Sequence, residues 1–136
     1  MSERPSVLFV CVHNAGRSQM AAAFLTHLSR GRVEVRSAGS EPAEQVNPAA
    51  VAAMAEVGID IAAEKPKILT DQAVIDSDVV VTMGCGDECP LVVAKRRVDW
   101  QIPDPREMPP DQFNEVRDLI ERKVKELLAS LDAGKL

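Results

Sequence analysis

Cys11-Val12-His13-Asn14-Ala15-Gly16-Arg17-Ser18 lies between the apolar run Ser6–Val12 and a helix-forming run that starts near Gln19. Val7, Leu8, Phe9 and Val10 are unbroken apolar positions, the pattern of a strand buried on both faces in the middle of a parallel sheet. Gln19-Met-Ala-Ala-Ala-Phe-Leu-Thr-His-Leu28 is rich in strong helix formers. A strand that turns through a short loop into a helix N-terminus makes an anion site, because its N–H groups converge and the helix dipole adds partial positive charge. Arg17 adds a planar two-toothed donor suited to a tetrahedral oxyanion.

The same donors would stabilise a thiolate at Cys11. A free cysteine titrates near ~8.5, and such surroundings lower that value. Ser18 can donate a hydrogen bond to the sulfur, and Asn14 and Gly16 are residue types that tolerate left-handed backbone. Val12, His13, Asn14, Ala15, Gly16, Arg17 and Ser18 thus form the expected oxyanion cradle, with Cys11 as nucleophile. The competing interpretation is a buried structural cysteine ending a core strand. The C-x5-R-S spacing between strand and helix favours the nucleophile.

At these residues the chain resembles the small C-x5-R phosphatase fold shared by low-molecular-weight tyrosine phosphatases and arsenate reductases. The extension Ser18-Gln19-Met20-Ala21 resembles the arsenate reductase branch, since the phosphatases more often carry proline after the serine. The resemblance implies arsenate as ligand, with phosphate or sulfate as mimics.

The whole chain sets bounds on these expectations. Its 136 residues suit one domain spanning 1–136, and 46% hydrophobic with 27% charged residues is an ordinary globular balance. The net charge of −5 argues against nucleic acid as a partner. No apolar run reaches membrane-spanning length, and the N-terminus lacks a signal-peptide pattern, so a cytoplasmic protein without membrane attachment is expected. Three cysteines, an odd number, fit catalytic thiols in a reducing compartment better than a disulfide framework.

Strand-like and helix-like segments alternate along the chain. Val33–Ser37 reads as a second strand ending in the small turn Ser37-Ala38-Gly39. Asn47-Pro48 is a cap-and-start signal for a helix over Ala49–Val57, stopped by Gly58. Ile59–Ile61 follows as a short extended piece, and Lys65-Pro66-Lys67 as a loop with solvated lysines. A short helix spans Leu69–Ile75, beginning near Thr70 or Asp71. Asp78–Met83 is a second buried strand, Arg97–Trp100 a last and weaker one. From Asp111 to Leu131 apolar residues recur at three- and four-residue spacing, the mark of an amphipathic helix. Alternation of this kind predicts an α/β, three-layer fold with a central parallel sheet of about four strands flanked by helices. Ligands of such sheets bind beyond the carboxyl ends of the strands, which is where Cys11 lies.

Three further features are given roles by the resemblance. Ser37 would support the anion loop, although its Ser-Ala-Gly setting also reads as a tight turn only. Asp104, in Ile102-Pro103-Asp104-Pro105, stands where this fold keeps its general acid, and flanking prolines would stiffen the loop presenting it. Cys85 and Cys89 lie in a Gly/Pro-rich loop after the second buried strand. Their spacing is a weak zinc pattern and an improbable cytosolic disulfide, whereas resolving thiols make chemical sense because reducing an oxyanion takes two electrons. Thioredoxin-linked arsenate reductases carry two cysteines in this loop, the second before proline, as Cys89-Pro90 is. Cys85 stands closer to Cys89 than in that pattern.

No bound cofactor is expected. The implied reductant is external: thioredoxin, or mycothiol or glutathione with a glutaredoxin-like (mycoredoxin) protein. Ala22 and Ala23 replace the acidic residue that helps bind potassium in better-known members, which implies no metal here. The expectation is therefore an arsenate reductase, monomer or homodimer, with a tyrosine phosphatase or a non-catalytic oxyanion or thiol sensor as alternatives. The absence of tyrosine argues against a phosphotyrosine site walled by aromatic rings.

Overall fold

In the computed structural model, residues 4–83 and 94–134 are described. Four strands, β1 (Ser6–Cys11), β2 (Glu34–Gly39), β3 (Val79–Met83) and β4 (Arg97–Trp100), form one sheet in the order β2-β1-β3-β4. All pairings are parallel. The helices are α1 (Arg17–Ser29), α2 (Pro48–Ala55), α3 (Asp71–Asp76) and α4 (Pro110–Asp132).

Every residue of β1 is buried, as its continuous apolar run requires of an interior strand covered on both faces. Alternate residues point to opposite layers. Val7, Phe9 and Cys11 join Met20, Phe24 and Leu25 of α1, Met54 of α2, and Ile120 and Val124 of α4. Leu8 and Val10 pack on the other side with Val80 and with Val74 of α3. The expected three-layer α/β architecture with its four-stranded parallel sheet is what the chain forms. Trp100 is a core aromatic, tilted against Phe9 with ring centroids 5.8 Å apart.

Most boundaries move by a residue or two. Asn47 caps α2 through its side-chain oxygen, which accepts from the Ala49 N–H at 2.9 Å, and Pro48 opens the helix as read. The helix ends at Ala55, earlier than the expected Val57. Thr70 caps α3 in the same way, accepting from Ala73. The second strand runs on to Gly39, because β1 continues to pair with it as far as Cys11. Ile59–Ile61 joins no strand, and serves instead to carry the Ile61 side chain into the core. The shift that matters for the site is at α1, which begins at Arg17 and not near Gln19. Arg17 and Ser18 therefore belong to the helix's first turn, where the free N–H groups and the dipole are concentrated. Among the described residues no helix is long and apolar enough to cross a membrane.

Candidate active site

Cys11 is the last residue of the central strand, and its side chain is buried at the floor of the loop that leads into α1. Local turn chemistry sets one residue of that loop. Asn14 has φ 49°, the left-handed conformation expected of it. Gly16 was expected to share it, but sits at φ −135° as the residue before the helix.

The cradle's N–H groups face inward because its carbonyls are drawn outward. Val12 O accepts from Glu41 N (2.8 Å), His13 O from Ala43 N (3.0 Å) and Ala15 O from Asn47 N (2.8 Å). Asn14 O accepts from the Gln19 side chain (3.1 Å), and Gly16 O from Met20 N (2.9 Å). Each carbonyl from 12 to 16 is thus committed to a donor. Among the described residues, no backbone N–H from His13 to Ser18 is given to another protein group. A peptide plane whose oxygen points out presents its hydrogen in, so these amides form a preorganised anion nest.

The sulfur is tied into a side-chain chain. Ser18 Oγ lies 2.8 Å from Cys11 Sγ, and Asn14 Nδ2 donates to that same Ser18 Oγ at 2.7 Å. The Ser18 hydroxyl hydrogen is left for the sulfur, which as a thiolate can only accept. Arg17 reaches across the mouth. Its Nη1 donates to Met83 O (2.7 Å) and Ile102 O (3.0 Å), at the carboxyl ends of β3 and β4. Its Nη2 faces Asp104 Oδ2 at 3.9 Å. Asp104 is exposed and accepts the Arg106 backbone N–H at 3.0 Å, a turn that holds its carboxylate at the edge of the cleft. The Arg106 guanidinium lies 3.7 Å from the same carboxylate.

The resulting cleft, about 520 Å³, is lined by Cys11, His13 and Arg17 on one side and Asp104 and Arg106 on another. Its remaining wall includes Val46, Pro48 and Phe113. Cys11, Arg17, Ser18 and Asp104 are thus brought together. His13 turns toward the rim, its Nδ1 donating to Glu41 O at 3.0 Å. Ser37 is not at the loop: it sits opposite Phe9 in the β1–β2 register and lines a separate cavity beside Gln19. The residue of that turn which touches the cradle is Gly39, where an added Cβ would lie 2.6 Å from Val12 O and 2.9 Å from Asn14 N. Cys85 and Cys89 lie outside the described residues.

Sequence reasoning missed Gly39, Gln19, Arg106 and the Val46–Phe113 wall. Gly39 left a signal in the small residues at the end of β2, and Gln19 stood in the Ser18-Gln19-Met20-Ala21 extension without a role given to it. Lys65 and Lys67 keep exposed side chains as read, yet their backbones brace the loop. Lys67 N donates to Asn14 Oδ1 at 2.8 Å, and Lys65 O accepts from Gln19 at 3.2 Å.

Comparison with known proteins places this geometry. The chain is 37% identical over 128 residues to the glutaredoxin arsenate reductase of Synechocystis sp., covering 92% of this chain and 97% of that one. It is 39% identical over 129 residues to the arsenate reductase of Shouchella clausii, covering 88% and 91%. Among solved structures it superposes on the thioredoxin-dependent arsenate reductase of Corynebacterium glutamicum with TM-score 0.84 and 43% identity, over 98% of this chain and 64% of that longer one. An arginine phosphatase from Geobacillus stearothermophilus superposes with TM-score 0.81 at 26% identity, over 96% and 95% of the chains. The family model for low molecular weight phosphotyrosine protein phosphatase matches residues 6–135, and the chain belongs to that family.

Proposed function

We propose that the protein reduces arsenate to arsenite, with Cys11 as the attacking thiolate. The observation that carries the reading is the Asn14–Ser18–Cys11 hydrogen-bond chain beneath a nest of unpaired amides, a thiolate and an oxyanion site built in one place. Arsenate sits in the loop, held by those amides and by the free edge of Arg17. The Cys11 sulfur attacks arsenic, an As–O bond breaks, and Asp104 protonates the departing oxygen as water. A second thiolate then attacks the Cys11 sulfur. An S–S bond forms, the S–As bonding pair stays with arsenic, and arsenite leaves two electrons richer. The second thiol comes from Cys89, from Cys85, or from a small thiol such as mycothiol or glutathione. A thioredoxin- or glutaredoxin-type partner resets the disulfide by exchange. Chemistry of this kind needs a reducing compartment, consistent with work in the cytoplasm. The arsenate reductases among its relatives support the substrate.

The test is one turnover. Fully reduced protein receives one equivalent of arsenate without added thiol, and arsenite release is followed together with peptide mapping of disulfides. A burst with a disulfide joining Cys11 to Cys89 or Cys85 establishes a self-contained cycle. Release that waits for mycothiol or glutathione assigns the second thiol to the small molecule. No arsenite under either condition refutes the reductase reading, and hydrolysis of a phosphoryl substrate by the same protein would then make it a phosphatase.

A further inference from the structure

Gln19 has no part in the chemistry above, yet it is nearly fully buried, at 2% exposure, directly behind the anion loop. Its Nε2 faces three oxygens: Asn14 O at 3.1 Å, Asn14 Oδ1 at 3.2 Å and Lys65 O at 3.2 Å. Two of these are backbone carbonyls, which only accept, so this end of the Gln19 carboxamide is its NH2. Asn14 Oδ1 also receives the Lys67 backbone N–H, which only donates, so this end of the Asn14 carboxamide is its oxygen. The other end of Asn14 must then be the donor, and it faces Ser18 Oγ.

We propose that Gln19 is a positioning residue that fixes the direction of the hydrogen-bond chain ending on the Cys11 sulfur. The inference rests on the reading of Cys11 as the attacking thiolate. If the Asn14 amide turned over, its oxygen would face Ser18 and capture the hydroxyl hydrogen, and the thiolate would lose its donor. Gln19 and Lys67 both hold Asn14 against that reversal, and Gln19 also ties the Asn14 carbonyl, so the left-handed residue is gripped at main chain and side chain together. The arrangement is compact in the fold. The first turn of α1 supplies Arg17, Ser18 and Gln19 in succession, one to the mouth of the cleft, one to the sulfur and one to the lock behind it.

The experiment follows alkylation of Cys11 by iodoacetamide from pH 5 to pH 9, read by peptide mass mapping of the full chain. Gln19→Met keeps the volume and removes the donor. It is expected to lower the alkylation rate at pH 6 about tenfold, the factor that loss of one charge-assisted hydrogen bond to the sulfur carries. In a Ser18→Ala background the same change is expected to lower it no further, because the chain no longer reaches the sulfur. Gln19→Asn, one methylene shorter, should behave as Gln19→Met does if the latter does not fold. Gln19→Lys, which donates to the same oxygens, should hold the parent rate or exceed it. An unchanged rate in Gln19→Met, or an equal fold loss with and without the Ser18 hydroxyl, overturns the proposal. The readout needs no arsenate, so it stays decisive even if the chain proves to have no reductase activity.

Discussion

Gly39→Ala is a single-methyl change whose effect follows from three distances. The new Cβ would stand 2.6 Å from Val12 O, 2.9 Å from Asn14 N and 3.1 Å from the Asn14 Cβ. To reach ordinary contact at 3.4 Å, Val12 O must retreat by roughly 0.8 Å and Asn14 N by roughly 0.5 Å, both being backbone atoms of the close-packed anion loop. Gly39 has little room to retreat in their place. It is paired with Cys11 in the sheet, donates to Lys67 O and accepts from Leu69 N, each of the latter at 2.8 Å. Overpacking of this kind costs about 1–3 kcal/mol of stability. The functional loss should be larger in proportion, because preorganised donors displaced by a sizeable fraction of an ångström lose transition-state stabilisation worth about 100-fold in rate. Urea unfolding, phosphate affinity by calorimetry and steady-state arsenite release would be measured on parent and variant. Phosphate affinity and turnover within twofold of the parent would refute the claim that Gly39 is small because the cradle lies against it.

Asp99 offers a test on the acid side. Its carboxyl is held below the usual carboxylate range, first by the Thr82 hydroxyl and then by a hydrogen bond from Arg97, whose charge adds to the effect while burial opposes it. A depressed carboxylate contributes stability that is complete above its unfolded value, about 3.9, and is lost as pH falls through the folded one. Asp99→Asn should therefore unfold at lower urea than the parent at pH 7, with the gap closing as pH drops below about 4. Asn47→Ala removes the α2 cap while leaving its backbone bond to Ala15 O, so about 1 kcal/mol of stability should go in urea unfolding, with phosphate affinity nearly kept.

The sheet and the loop after β1 were legible because their signals are local. An unbroken apolar run gave β1, the Asn-Pro pair gave the start of α2, and three- and four-residue spacing gave α4. The C-x5-R-S loop could be read because strand, loop and helix adjoin in the chain. What surrounds the loop could not. Glu41, Ala43, Lys65 and Lys67 act through backbone groups, which any residue type supplies, so nothing in their side chains marks them. Arg17 was read as a loop residue because its donors suit an anion. The helix starts there because Gly16 O already accepts from Met20 N. Ser37 and Gly39 show the reverse failure. Both lie on one face of β2, and it is position along the strand that separates them: Ser37 pairs with Phe9, whereas Gly39 pairs with Cys11 at the strand's carboxyl end, against the cradle.

The outward ties of the cradle have a consequence for how the protein comes into being. The eight residues from Cys11 to Ser18 are contiguous, but their restraints arrive from Glu41, Ala43, Asn47, Lys65, Lys67, Met83 and Ile102. A peptide cut from this loop would have the thiol and the guanidinium without the nest. During synthesis the chain therefore lacks this cradle until more than a hundred residues have emerged, β3 has docked on β1 and β4 on β3. The cradle is thus a product of the whole folded sheet, although the residues that form it stand together in the sequence.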